Sequence, residues 1–219
     1  AGPQGLDHSI SPQGYGSGQL VPGGRPELVL NPGKLVYWEI PADPAAGNWP
    51  VTVIASSTGG EGLDVADVDR DGDDDVFSRL NGGNAVWWEN PGTGAGSWAS
   101  HAIGGIDGDI DRVVAADVNG DGRVDVIVAE ENLATSGAET SWFEQPADLA
   151  SGTWTKHVIA QQASTHNLDA ADLDADGDID VVTGEHYGDH AVIVWENDGS
   201  GAFTAHPVDS GKESHLGTR

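Results

Sequence analysis

Short apolar runs alternate with turn-rich polar stretches along the chain, and the runs recur in sets of four. The clearest set opens with Leu63-Asp64-Val65-Ala66 and continues with Val76-Phe77. It then passes through an aromatic pair ending at Trp88-Glu89 and closes with "SWASHAI" from Ser97. The second set is Val113-Val114-Ala115-Ala116, Val126-Ile127-Val128, Phe143-Glu144 and "TWTKHVI" from Thr153. The third is Leu168-Asp169-Ala170-Ala171, Val181-Val182, Trp195-Glu196 and "AFTAHPV" from Ala202. Short β-branched or aromatic runs bounded by Gly, Asn and Pro read as strands. No sustained helical period appears, and 32 Gly with 11 Pro fit a turn-dense all-β chain. We label the four runs of each set A to D.

A weaker set precedes these three. "GRPELVLN" from Gly24 matches "GRVDVIVA" from Gly122, "LVYWEIP" from Leu35 matches the aromatic-Glu run, and "GNWPVTVI" from Gly47 matches the fourth. Four strands per unit, repeated every 40–50 residues or so, predict the blades of a β-propeller. The expected architecture is one propeller, whole or partial, over residues 1–219. Its blades are expected at 14–55, 61–104, 109–160 and 165–209, the first degenerate.

Between A and B each clear unit carries an acidic stretch: "DVDRDGDDDV" from Asp67, "DVNGDGRVDV" from Asp117 and "DLDADGDIDV" from Asp172. Two carboxylates about 4 Å apart cost roughly 1 kcal/mol in water and about 4 at an effective dielectric near 20. A divalent cation turns that repulsion into shared coordination. Taking Asp172 as position 1, Asp174, Asp176, Asp178 and Asp180 are positions 3, 5, 7 and 9, with Gly177 at 6. Alternate side chains in a tight loop converge on one point, and the Gly permits the turn. Hard carboxylate oxygens suit Ca²⁺, whereas Mg²⁺ demands tighter octahedral geometry and keeps more waters. The spacing resembles the first half of an EF-hand loop, but position 12 is Ser78, Val128 or Thr183 rather than Glu. In the second loop Arg123 stands at position 7, where only a backbone carbonyl is needed. In the weak first unit the aligned residues are Gln19, Val21, Gly23 and Glu27, a poor cation set.

Composition narrows the partners. The chain has 36 Asp+Glu against 9 Lys+Arg and a formal charge of −27, so no basic patch exists for nucleic acid. Anionic membranes are disfavoured for the same reason, and no run is apolar enough to insert. Without Cys there is no disulfide scaffold, zinc-thiolate site or Cys nucleophile. An Ala-Gly-Pro start reads as a mature or trimmed product.

The "DxDxDGxxD" loops, each after a short apolar strand, resemble the FG-GAP/VCBS repeats of integrin-α-type β-propellers. The resemblance covers most of the chain from about Gly14. It implies Ca²⁺ in the A–B loops, three ions in all. The implied ligands are Asp67, Asp69, Asp71, Asp73 and Asp75 in the first loop, and Asp117, Asn119, Asp121, Arg123 and Asp125 in the second. In the third they are Asp172, Asp174, Asp176, Asp178 and Asp180. The chain departs from the family in its lost first loop and in having fewer than the usual seven blades.

Other polar residues divide by whether they repeat. His101, His157 and His206, and Glu39, Glu89, Glu144 and Glu196, recur at fixed repeat positions, which reads as structure. Trp38, Trp88 and Trp195 read as inter-sheet core. Glu130, Glu131, His166, Glu185, His186 and His190 do not repeat, and their strand ends approach one face of a propeller. A His/Glu cluster there can bind a metal or serve acid–base chemistry on a glycan.

The reading is a secreted or surface-exposed, calcium-stiffened propeller with no catalytic residues, acting as a self-assembling or adhesion subunit. The alternative is a glycan-binding module, or the propeller of a carbohydrate-active lyase or dehydratase; some such enzymes carry similar propellers. Extracellular calcium fills even sites with a Kd of roughly 10⁻⁴–10⁻³ M, and cytosolic calcium does not. The tail "SHLGTR" from Ser214 resembles "THNLDA" from Thr165, the start of a strand A. Residues 213–219 are therefore expected to supply strand A to the first blade, within the chain or between chains, giving a homo-oligomer or filament. Two alternatives stand beside it: a fragment of a longer propeller, and residues 15–21 acting as a poor strand A.

Overall fold

The computed structural model describes residues 14–47, 49–93, 96–131 and 136–211. These residues form sixteen strands in four four-stranded sheets, each strand hydrogen-bonded to its chain neighbour. The first sheet is β1 (Tyr15–Gly18), β2 (Glu27–Leu30), β3 (Leu35–Trp38) and β4 (Val51–Ala55). The second is β5 (Leu63–Ala66), β6 (Asp75–Arg79), β7 (Asn84–Glu89) and β8 (Ala99–Gly105). The third is β9 (Ile110–Ala116), β10 (Asp125–Glu130), β11 (Ala138–Glu144) and β12 (Thr155–Gln162). The fourth is β13 (Thr165–Ala171), β14 (Asp180–Glu185), β15 (Val192–Asn197) and β16 (Phe203–Asp209). The strand pairs with an assigned register are antiparallel. Four consecutive antiparallel meanders of this kind are propeller-like. One 3-10 turn (Pro44–Ala46) is the only helical element among the described residues.

By internal packing the chain divides into two compact units, Ala1–Ala102 and Ile103–Arg219. In the first, β1 lies beside β5. Leu20, Val29, Leu35, Tyr37, Leu63, Val76 and Trp98 form one apolar cluster against which Val65 and Trp88 pack. In the second, β9 lies beside β13. Val114, Val118, Ile127, Trp142, Leu168 and Val181 form the core there, with Trp195 packed against it.

The first sheet corrects one expectation. Its strand A is β1, paired Tyr15↔Leu30 through Gly18↔Glu27, so no other segment is needed there. Residues 213–219, expected to fill that place, lie outside the described residues. The sequence "GYGSG" reads poorly as a strand because its glycines have no side chain to pack. Here that absence is the point. A Cβ on Gly16 would meet Leu63 Cδ2 at 2.9 Å, and one on Gly18 would overlap Val65 Cγ1. The glycines let β1 lie directly on β5.

Candidate metal loops and a separate His/Glu cluster

Each acidic loop joins the first and second strands of its sheet. Its shape comes from hydrogen bonds between its own carboxylates and amides. In the first loop Gly72 N donates to Asp67 Oδ2 (3.2 Å), Asp71 N to Asp69 Oδ1 (3.1 Å) and Asp73 N to Asp71 Oδ1 (3.1 Å). The third repeats this with Gly177 to Asp172, Asp176 to Asp174 and Asp178 to Asp176. The second does so with Gly122 to Asp117, Asp121 to Asn119 and Arg123 to Asp121. Position 4 has a left-handed backbone in all three: φ is 65° at Arg70, 68° at Gly120 and 66° at Ala175.

These turns draw carboxylates together. One oxygen each from Asp67, Asp69 and Asp71 lies within 4.8 Å of the others, and the same holds for Asp172, Asp174 and Asp180. In the first loop two oxygens, Asp67 Oδ1 and Asp73 Oδ1, are buried without a hydrogen bond. A buried anionic oxygen without a donor is costly, so the observation fits a cation-binding loop. The donors are hard oxygens, which suits Ca²⁺. Burial, and secondarily repulsion from Asp71, Asp69 and Asp67, pushes the Asp73 carboxyl up to about 6. Local desolvation within the loops, with repulsion from neighbouring carboxylates, likewise raises Asp69, Asp174 and Asp178.

Position 9 has a further task. Asp75 Oδ2 accepts from Val68 N (3.1 Å) and Oδ1 from Asn90 N (2.7 Å). Asp125 does the same with Val118 and Gln145, and Asp180 with Leu173 and Asn197. These buried carboxylates brace the loop entrance against the end of strand C. Burial lifts Asp75 to about 7 and Asp125 to about 6, with the backbone hydrogen bonds opposing. In the first sheet Glu27 takes over the brace, accepting from Leu20 N and Val21 N at 2.9 and 3.0 Å. There Gln19, at position 1, donates from Nε2 to Val21 O and Gly23 O, so an amide occupies the loop.

Sequence reasoning missed two features. Arg123 was needed only for its carbonyl, but its guanidinium pairs with Asp121 and its Nε donates to Gln145 O (3.0 Å). The second loop thus carries a cation of its own. The other feature is the residue after the aromatic-Glu pair. Asn90 Nδ2 donates to Asp74 O and, in the neighbouring sheet, to Leu20 O; Asn197 Nδ2 donates to Ile179 O and to Val118 O. The repeated "WEN" was the available signal.

Residues 67–128 match the family model described as an FG-GAP-like repeat. This stretch is similar to an FG-GAP-like repeat. It contains the first two acidic loops, and the third repeats their hydrogen bonds outside the matched segment. No curated protein matches the chain. Position 12 of each acidic pattern lies in strand B. Ser78 Oγ accepts from Trp88 Nε1 and Thr183 Oγ1 from Trp195 Nε1, both at 2.9 Å.

The repeated histidines pair across strands C and D: His101 with Glu89 (2.7 Å), His157 with Glu144 (3.0 Å) and His206 with Glu196 (2.6 Å). His101 stacks on Trp87 and His157 on Trp142. Of the non-repeating group, Glu131, His166 and His186 come together. Glu130 and Glu185 do not join them. Their carboxylates accept from Glu139 N and Ala191 N, at the entry to strand C. His190 takes a left-handed backbone, φ 51°.

Proposed function

We propose that the protein is a non-enzymatic, extracellular, calcium-stabilised propeller-type module that works through its surfaces as a self-assembling or adhesive subunit. The observation that carries this is the pair of buried carboxylate oxygens without donors, Asp67 Oδ1 and Asp73 Oδ1, inside a repeated all-oxygen loop. Such loops favour a compartment where calcium is near millimolar, because the ions relieve both burial and repulsion. A charge of −27 argues against nucleic acid and anionic membranes as partners. No helix among the described residues is long and apolar enough to cross a membrane.

Association is supported by the outer strands. β4, β8, β12 and β16 each form one edge of their sheet, and Val53, Val158 and Val208 stand more than half exposed on three of them. Unpaired strand edges invite pairing with another chain. Light scattering of the purified chain in about 1 mM calcium, a level that fills weak extracellular sites, tests both parts. A multiple of the chain mass that falls in EGTA is expected. A monomer whose mass and hydrodynamic radius ignore calcium would contradict the proposal.

A further inference from the structure

A second metal chemistry, distinct from the acidic loops, lies at the other end of the strands. We propose that Glu131, His166 and His186 form a site for one divalent transition-metal ion of the zinc class. The three come from two neighbouring sheets of one compact unit. Glu131 follows the end of β10, His166 lies in β13 and His186 follows the end of β14.

The backbone prepares this meeting. Pairing of β13 with β14 slips between Thr165 and Asn167, leaving His166 as the extra residue. Such a bulge re-aims a side chain. Arg112 Nε holds the His166 carbonyl at 2.7 Å, and its guanidinium is neutralised by Asp111 at 2.5 Å. His186 N donates to Ser164 O at 2.8 Å, which fixes the residue just past β14.

The side chains then converge. His186 Nδ1 is 2.9 Å from Glu131 Oε1, and His166 Nε2 is 3.6 Å from Glu131 Oε2. One ligand atom from each residue lies within 4.8 Å of the other two. The two imidazoles stack with centroids 4.9 Å apart, and Tyr187 stacks on His186 at 4.1 Å. Both histidines are buried and Glu131 is half-buried.

Coordination chemistry selects the ion. Zinc–nitrogen and zinc–oxygen bonds are about 2.0–2.2 Å, so two ligands on a tetrahedral ion stand about 3.4 Å apart. The spacing of His166 Nε2 from Glu131 Oε2 already meets that, and the pair of His186 Nδ1 with the other carboxylate oxygen, Oε1, must open by about half an ångström to admit the metal. Imidazole suits Zn²⁺, Cu²⁺, Ni²⁺ and Fe²⁺ and is a poor ligand for hard Ca²⁺. Three protein ligands leave a fourth position open. The repeated pairs elsewhere offer only one imidazole and one carboxylate each, so they are weaker competitors. A metal here would also tie the third sheet to the fourth.

The test uses the intact chain in excess calcium, so that the acidic loops are filled, and titrates Zn²⁺ by calorimetry and Co²⁺ by its visible d–d absorption. One ion per chain is expected, with nitrogen-coordinated cobalt bands. Glu131→Gln and His186→Ala should each weaken binding by about tenfold or more, as loss of a ligand or its support does. His206→Gln, which removes one of the repeated His–Glu pairs, should leave it unchanged. If His186→Ala does not fold, Glu131→Gln at the half-buried position carries the test. No tight ion in excess calcium overturns the proposal, as does binding that survives Glu131→Gln unchanged.

Discussion

Asn197 Nδ2 donates a 2.7 Å hydrogen bond to the main-chain oxygen of Val118, in the acidic loop of the neighbouring sheet. Its own N–H donates to Asp180, and its Oδ1 accepts from Gly199 and Gly201. One buried amide therefore ties a strand end, a turn and two acidic loops together. In the first unit Asn90 likewise joins the first acidic loop, at Asp74 O, to the non-acidic loop of the neighbouring sheet, at Leu20 O.

Removing the amide leaves a buried carbonyl without its donor, which costs about 1–3 kcal/mol. Asn197→Ala should therefore destabilise the protein by that amount, with Asn90→Ala similar. Urea unfolding of each variant measures it. An effect below a few tenths of a kcal/mol would show that the bond across the sheets is incidental.

Thr183 and Trp195 form a second testable pair. Thr183→Val keeps the shape but deprives Trp195 Nε1 of its acceptor, at a cost of about 1–3 kcal/mol, while Gln162 Nε2 loses one acceptor and keeps Thr165 Oγ1. Adding Trp195→Phe removes the orphaned donor, so the double variant should show a favourable coupling of about 0.5–3 kcal/mol. The third sheet already carries this apolar combination as Phe143 and Val128. Strictly additive losses in the double-mutant cycle would contradict the pairing.

Protons should compete with the cation. Asp75, Asp125 and Asp73 have carboxyls lifted, mainly by burial, to about 7, 6 and 6, against roughly 3.9 when unfolded. Between those limits the cation-free folded state binds more protons than the unfolded one. These groups therefore weaken the cation-free fold as pH rises from about 4 to 7. Calcium needs them ionised. The gain in melting temperature on adding calcium should thus be larger near pH 7.5 than near pH 5.5. Equal gains at both would argue that these carboxyls do not sense the ion.

Most strands and all three acidic loops were legible because period-2 apolar runs and D-x-D-x-D-G spacing are local signals. Strand β1 was legible only as a poor alternative within residues 15–21, because its glycines serve a neighbour, β5, rather than its own sheet. The brace role of Asp75, Asp125 and Asp180 was not separable from ligation, since both need a carboxylate at position 9. The meeting of Glu131 with His166 and His186 depends on a bulge at His166, and a one-residue slip in register leaves no mark in composition. Arg123 was read by its place in the loop, whereas its long side chain reaches Asp121.

The most direct measurement is a thermal melt of the wild-type chain near neutral pH, in saturating calcium and in EGTA. Each site filled to 100-fold over its Kd adds about 2.7 kcal/mol to the folded state. The account predicts a melting temperature several degrees higher with calcium, and a smaller gain in Asp176→Ala, whose third loop has lost a carboxylate. Superimposable wild-type curves in calcium and in EGTA would contradict it.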